Sequence, residues 1–181
     1  MSVDSTAQIH PSAVIEPGAR IGAGCEIGPF CWIGAHVELA QNVVCTSHVV
    51  IRGQTKVGSD TRIFSFAVIG EIPQDLKFKG EVSQLEIGQR NTIREHVTIN
   101  LGTQGGGGVT SIGDDCLLMA GCHIAHDARL GNRVIIVNSA AIAGHVIIED
   151  EVIVGGLCGV HQFVRLGRGA IIGAVTMVTN D

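Results

Sequence analysis

A triangular all-β parallel helix is the fold predicted by three features: a six-residue aliphatic period, glycine at many corners, and little aromatic bulk. The period starts at Ile9 and recurs at Ile15, Ile21, Ile27, Ile33 and Leu39, then at Cys45, Ile51, Val57, Ile63 and Ile69. It resumes at Ile87, Ile93 and Ile99, and a last run is unbroken from Ile112 to Val178. Six fits neither the ~3.6-residue turn of a helix nor a simple alternating strand. It fits a short strand followed by a corner, three such units closing a coil, with successive coils stacked as parallel strands about 4.8 Å apart. The period does not set the hand of winding, and parallel crossovers are normally right-handed.

A second inward position lies four residues after each aliphatic, filled by small or branched residues such as Ala13, Ala19, Val37, Val49, Ala67, Val97, Ala140 and Val146. Gly often follows the aliphatic, as in Ile21-Gly22 and Ile112-Gly113, where a corner needs unusual dihedrals. The composition agrees: 25 Gly, no Tyr, one Trp and five Phe in 181 residues leave a thin core of aliphatics. The six cysteines fit the same scheme. Cys25, Cys31, Cys116, Cys122 and Cys158 take the small inward position and Cys45 the aliphatic one, so packing, not thiol chemistry, is expected of them.

Totals exclude several classes. Hydrophobic residues make up 45% and charged ones 16%, yet no apolar run approaches the ~18 residues of a membrane span. A net charge of -5 gives no basic footprint for nucleic acid. The opening MSVDSTAQIHP lacks the apolar run of a secretory signal, so a cytoplasmic chain with reduced thiols is expected. Residues 1–181 read as one domain, interrupted by insertions over 70–86 and 101–111. The first is charged, with Asp75, Lys77, Lys79 and Glu81, and is suited to covering a cleft. The glycine run Gly105 to Gly108 in the second has no strand-to-helix context for a phosphate cradle and is expected to be a flexible loop.

Histidines concentrate in the last run. Residues one coil apart stack on one corner, which places His126, Gly144 and Gln162 in a column with His145 and His161 one residue off it. His123 approaches the same corner, and Asp127 follows His126 directly. An imidazole with a pKa near ~6.5 is a natural base at neutral pH, and a neighbouring carboxylate stabilises its charged form. His126 is expected at an outward corner, so that removing it costs little packing. Three imidazoles on adjoining coils also have the chemistry to bind zinc, which makes a zinc carbonic anhydrase-like enzyme the rival of different class.

Four motifs resemble one family in order and spacing: QDLKF at Gln74 to Phe78, HIAHD at His123 to Asp127, AGHV at Ala143 to Val146 and VHQF at Val160 to Phe163. They are similar to acyl-carrier-protein:UDP-N-acetylglucosamine O-acyltransferases, which begin lipid A synthesis. The resemblance implies a left-handed β-helix and a homotrimer with sites between subunits. It implies a 3-hydroxyacyl group passing from acyl carrier protein to UDP-N-acetylglucosamine, with no cofactor and no metal. His126 would be the general base, Asp127 would orient it, and the Gly144 N–H would face the thioester oxygen. Gln74, Asp75, Lys77, His123, His145, His161 and Gln162 would bind substrate, and Ala174 would set acyl length. Two departures stand out. Leu101 occupies a position where the family commonly has Arg, and the family's helical C-terminal domain is expected to be absent from this chain. Another hexapeptide acyl- or acetyltransferase is the nearer alternative.

Overall fold

The computed structural model describes residues 2–180, which form a left-handed parallel β-helix of three nine-stranded sheets. Face A runs from Ser2–Val3 to Arg165–Leu166, face B from Gln8–Ile9 to Ile171–Ile172, and face C from Val14–Ile15 to Met177–Val178. Every strand pairs in parallel with those one coil away, as Ile142 does with Ile124 and Val160. Most strands are two residues long, the first side chain outward and the second inward. Ile33, Ile63, Ile93, Ile136 and Ile142 are thus wholly buried on the axis. The six cysteines are buried and free. Desolvation pushes the Cys122 thiol up to about 12 and Cys116 to about 11, so neither is a thiolate at neutral pH.

The corners are paid for in backbone strain. At most of them one residue adopts the left-handed conformation, as Asn42, Asp60, Asp115, His48 and His145 do with φ between 53° and 63°. Asn, Asp and His tolerate that region better than most non-glycine residues. Hydrogen bonds between coils repeat around the corners, such as Ala125 N to Ile142 O and His145 N to His126 O.

Both insertions leave from the corner between faces C and A, on successive coils. The first joins Val68–Glu71 to Gln84–Ile87, and the second joins Thr98–Asn100 to Val109–Ile112. The excursions are therefore 72–83 and 101–108, narrower than the sequence pattern indicates. The difference arises because these strands lengthen to three or four residues, so residues lacking the hexapeptide pattern still pair: Gln84 with Gln54, and Val109 with Gln84. Leu101 points into the core and is buried, and a Cβ on Gly53 would collide with its methyls. Among the described residues no helix is long and apolar enough to cross a membrane.

Candidate active site

The corner between faces C and A continues below the two insertions, and there the coils present His126 with Asp127, Gly144 with His145, and Gln162 with Phe163. His126 is only 7% exposed and Asp127 3%, so the expectation of an outward, lightly packed His126 is wrong. The second insertion folds back over this corner and covers it. His126 Nδ1 and Asp127 Oδ2 are 2.8 Å apart. Because a carboxylate beside Nδ1 favours a proton there, Nε2 is left as the basic lone pair.

Asp127 is held from several sides. Its oxygens accept from the Thr103 backbone N–H at 2.9 Å and the Thr103 hydroxyl at 2.6 Å, and its own N–H donates to Thr110 Oγ1 at 2.8 Å. Thr103 caps a 3-10 turn at Gln104–Gly106, and a Cβ on Gly106 would collide with the Asp127 carboxylate. The glycine run is thus partly a fitted cover, since only glycine permits that approach, and the flexible loop expected from sequence is corrected to this extent. Thr103 and Gly106 were not legible as site residues because they lie in an insertion of irregular length, and Thr110 was not because the sequence pattern assigns it to that insertion, not to the strand it extends.

Below His126, a Cβ on Gly144 would come within 2.6 Å of the imidazole, so the ring lies directly against this glycine. Among the described residues no protein group accepts the Gly144 N–H. The His145 ring meets the His126 ring edge-on with centroids 5.1 Å apart, and stacks on Phe163 at 4.6 Å. His145 Nδ1 is also 3.9 Å from Asp127 Oδ2. His123, on face C, shares Nδ1 with the Thr98 hydroxyl at 2.7 Å, and burial followed by the nearby His126 charge lowers its pKa.

Two hollows flank this corner. One, of about 390 Å³, opens on face C and is lined by His123, His126, Gly144, Gln162, His161 and Gln74, with Ala141, Gly159 and Met177 along its floor. Asn100 also lines it, with Nδ2 donating to Ile72 O at 3.2 Å and Oδ1 unpartnered. The other, of about 830 Å³, lies between the two insertions and is lined by Asp75, Lys77, Lys79, Glu81, Thr103, His145 and Phe163. Asp75 accepts the Lys77 N–H at 3.0 Å, and Glu81 bridges the insertions by accepting from the Lys79 and Gln104 N–H groups. Those backbone donors, Lys79 first, hold the Glu81 carboxyl below its ordinary pKa. Ala174 is elsewhere. It is exposed on the corner between faces B and C, beside Gly155, and lines neither hollow.

The cluster His126, Asp127 and His145 places one possible ligand atom from each within 4.8 Å of the others. Asp127 Oδ2 is already engaged by the Thr103 hydroxyl and the His126 ring, and Oδ1 by the Thr103 N–H, so the donor set suits an oriented imidazole better than a cation.

The chain is similar to known proteins in sequence and in fold. The family described as bacterial transferase hexapeptide (six repeats) matches residues 3–35, 12–47 and 110–144. The acyl-[acyl-carrier-protein]–UDP-N-acetylglucosamine O-acyltransferase of Paracoccus denitrificans (strain Pd 1222) is 71% identical over 119 residues, covering 66% of this chain and 46% of the relative. The chain thus spans about half the length of the curated relatives it matches. A crystal structure of a UDP-N-acetylglucosamine acyltransferase superposes with a TM-score of 0.88 at 46% identity, covering 100% of this chain and 68% of the other. The UDP-N-acetylglucosamine acyltransferase from Campylobacter jejuni gives 0.93 at 44% identity, with 96% and 68% covered. On that coverage and identity, this chain belongs to the UDP-N-acetylglucosamine acyltransferase family.

Proposed function

We propose that the chain transfers a 3-hydroxyacyl group from acyl carrier protein to the 3-position of UDP-N-acetylglucosamine, the opening step of lipid A synthesis, with His126 as general base. The observation that carries this reading is the buried His126–Asp127 pair, whose imidazole lines the hollow on face C while its neighbours Thr103 and His145 line the hollow between the insertions. The hollow between the insertions offers Lys77, Lys79 and His145 to a diphosphate and sugar. The hollow on face C has the small, apolar floor that an acyl thioester needs.

In this reading Nε2 of His126 takes the proton of the sugar hydroxyl as its oxygen attacks the thioester carbonyl carbon. The oxyanion that develops faces the Gly144 N–H, where a fixed donor stabilises charge most in the transition state. Collapse breaks the C–S bond, and the imidazolium returns the proton to the leaving thiolate of the carrier. The ester and the free thiol balance the equation without cofactor or metal. Gln74, Asp75, Lys77, His123, His161 and Gln162 serve as substrate contacts, and Ala174, outside the hollow, limits an acyl path only if that path runs along face C past Met177 to the next corner.

The outward residues of each face support a homotrimer as the assembly. Face A displays Arg20, Glu38, Lys56, Arg129 and Arg165, while face B ends in Ile135, Ile153 and Ile171 and face C in Ala141, Gly159 and Met177. In this reading face B of one chain docks on face C of the next, the kind of head-to-tail contact from which a closed homotrimer is built. Each face C hollow then gains a second wall. The reading places the enzyme in the cytoplasm, where its carrier partner and nucleotide-sugar are made, with no nucleic acid partner.

Steady-state acyl transfer by His126→Ala tests the reading. Losing base catalysis lowers kcat by about 10²–10⁴-fold with a smaller change in KM. The buried ring leaves Asp127 short of one partner, so stability falls by about 1–3 kcal/mol, more than a surface change. His126→Gln preserves the volume and serves as the folded control. A His126→Gln enzyme with near-normal kcat would sink the assignment.

A further inference from the structure

We infer that Thr103 is a positioning residue, the outer side chain of a hydrogen-bond network that, through the Asp127 carboxylate, fixes the tautomer of His126 from outside the coil. This rests on the reading of His126 as the base and adds to it a role for the second insertion. Gly106 N–H donates to Thr103 Oγ1 at 3.2 Å, Thr103 O–H donates to Asp127 Oδ2 at 2.6 Å, and the same Oδ2 accepts from His126 Nδ1 at 2.8 Å. The Gly106 and Thr103 donors point toward the carboxylate, which receives the His126 ring N–H from its other side. The hydroxyl that receives the Gly106 N–H has one proton, and the carboxylate is its acceptor. The carboxylate is an acceptor only, so the ring proton belongs on Nδ1 and the lone pair on Nε2.

The Thr103 N–H adds a second anchor, to Asp127 Oδ1 at 2.9 Å. The two bonds from one residue grip both carboxylate oxygens and set the plane of the carboxylate. Burial makes this grip matter. Thr103 is 6% exposed and Asp127 3%, so water cannot substitute for a lost hydroxyl without opening the cover. The neighbouring coil alone does not fix the carboxylate. Thr110 Oγ1 accepts only the Asp127 N–H, and His145 Nδ1 stands 3.9 Å from Oδ2, beyond a good hydrogen bond. The capping threonine of an irregular loop therefore does what a buried carboxylate's second partner does in other base–carboxylate pairs: it holds the orienting group still.

Three variants and two readouts separate this role from a merely structural one. Thr103→Val keeps the shape and removes the hydroxyl, Thr103→Ser restores the hydroxyl, and Gly106→Ala drives a methyl into the carboxylate without touching Thr103. Thr103→Val is expected to lower kcat about tenfold or more with KM near wild type, a fraction of the ~10²–10⁴-fold that general-base catalysis supplies. Thr103→Ser recovers most of that loss, and Gly106→Ala repeats it. Selective ¹⁵N-histidine labelling reads the tautomer directly. Wild type and Thr103→Ser show His126 protonated on Nδ1, and Thr103→Val shows a mixture of tautomers. Wild-type kcat in Thr103→Val, or a tautomer identical in Thr103→Val and Thr103→Ser, overturns the role of Thr103 while leaving His126→Gln free to succeed as the test of the base. Should Thr103→Val not fold, Gly106→Ala with an unchanged tautomer and kcat is equally fatal to the proposal.

Discussion

Two corners of this prism carry stacked histidines, and they behave as different materials. On the corner between faces B and C, Phe30, His48, Phe66 and His96 stack with ring centroids 5.0 to 5.1 Å apart. On the corner between faces C and A, His126, His145 and Phe163 make similar ring contacts at 5.1 and 4.6 Å. His48, His96 and His145 even share one backbone conformation, with φ of 53°, 58° and 63°. Local structure therefore does not distinguish them. What differs is what covers the rings: His48 and His96 are exposed, while the second corner has two insertions above it and a buried carboxylate beside it. On the proposed reading, a histidine in a solenoid corner becomes a chemical group when an excursion of the chain closes over it and brings a partner.

The largest expected effect comes from cutting that partner. Asp127→Asn preserves size and the left-handed corner, which asparagine tolerates, but its side-chain NH2 is a donor where an acceptor is needed. The His126 tautomer should invert, with kcat falling about 10²–10⁴-fold and Tm falling by a few degrees, about 1–3 kcal/mol, from the frustrated Thr103 hydroxyl. A variant that retains kcat would make the two corners chemically equivalent after all. His145→Ala removes a ring that touches both His126 and the charged hollow. It should raise KM about tenfold through lost substrate contact, with kcat changed less. A kcat loss as deep as that of Asp127→Asn would move the base one coil down.

Much of this was legible from residue spacing. The six-residue period dictates the three faces because each inward aliphatic has no other place to be buried, and the column of His126, Gly144 and Gln162 follows from counting one coil. Burial of His126 was not legible, since it depends on residues 101–108 folding back over the corner, and a glycine-rich stretch carries no period to follow. Thr103 was missed for the same reason: its contact with Asp127 spans an irregular insertion. The extent of both insertions was misjudged because pairing is decided by neighbouring backbone, so Gln84 and Val109 extend strands in which side chains break the pattern. The aromatic ladder was also missed, although Phe30, His48 and Phe66 are one coil apart, because exposed corner residues give no hydrophobic signal.

The smallest effect concerns that ladder and is the sharpest check on the contrast. His48 sits between Phe30 and Phe66, and no carboxylate is among its described ring partners. Replacing it by alanine would confuse two losses, the stack and the residue's tolerance of positive φ. His48→Asn retains the tolerance and removes only the ring. Two ring contacts at an exposed site are worth about 0.5–1.5 kcal/mol together, which corresponds to a fall in Tm of about 1–6 °C in a chain of this size. The kcat should be unchanged within error, because neither insertion reaches this corner. Thermal melting and steady-state kinetics on the same preparation decide the matter. A tenfold loss of kcat in His48→Asn would show that the two corners are coupled through the core, and that exposure does not separate a packing histidine from a working one.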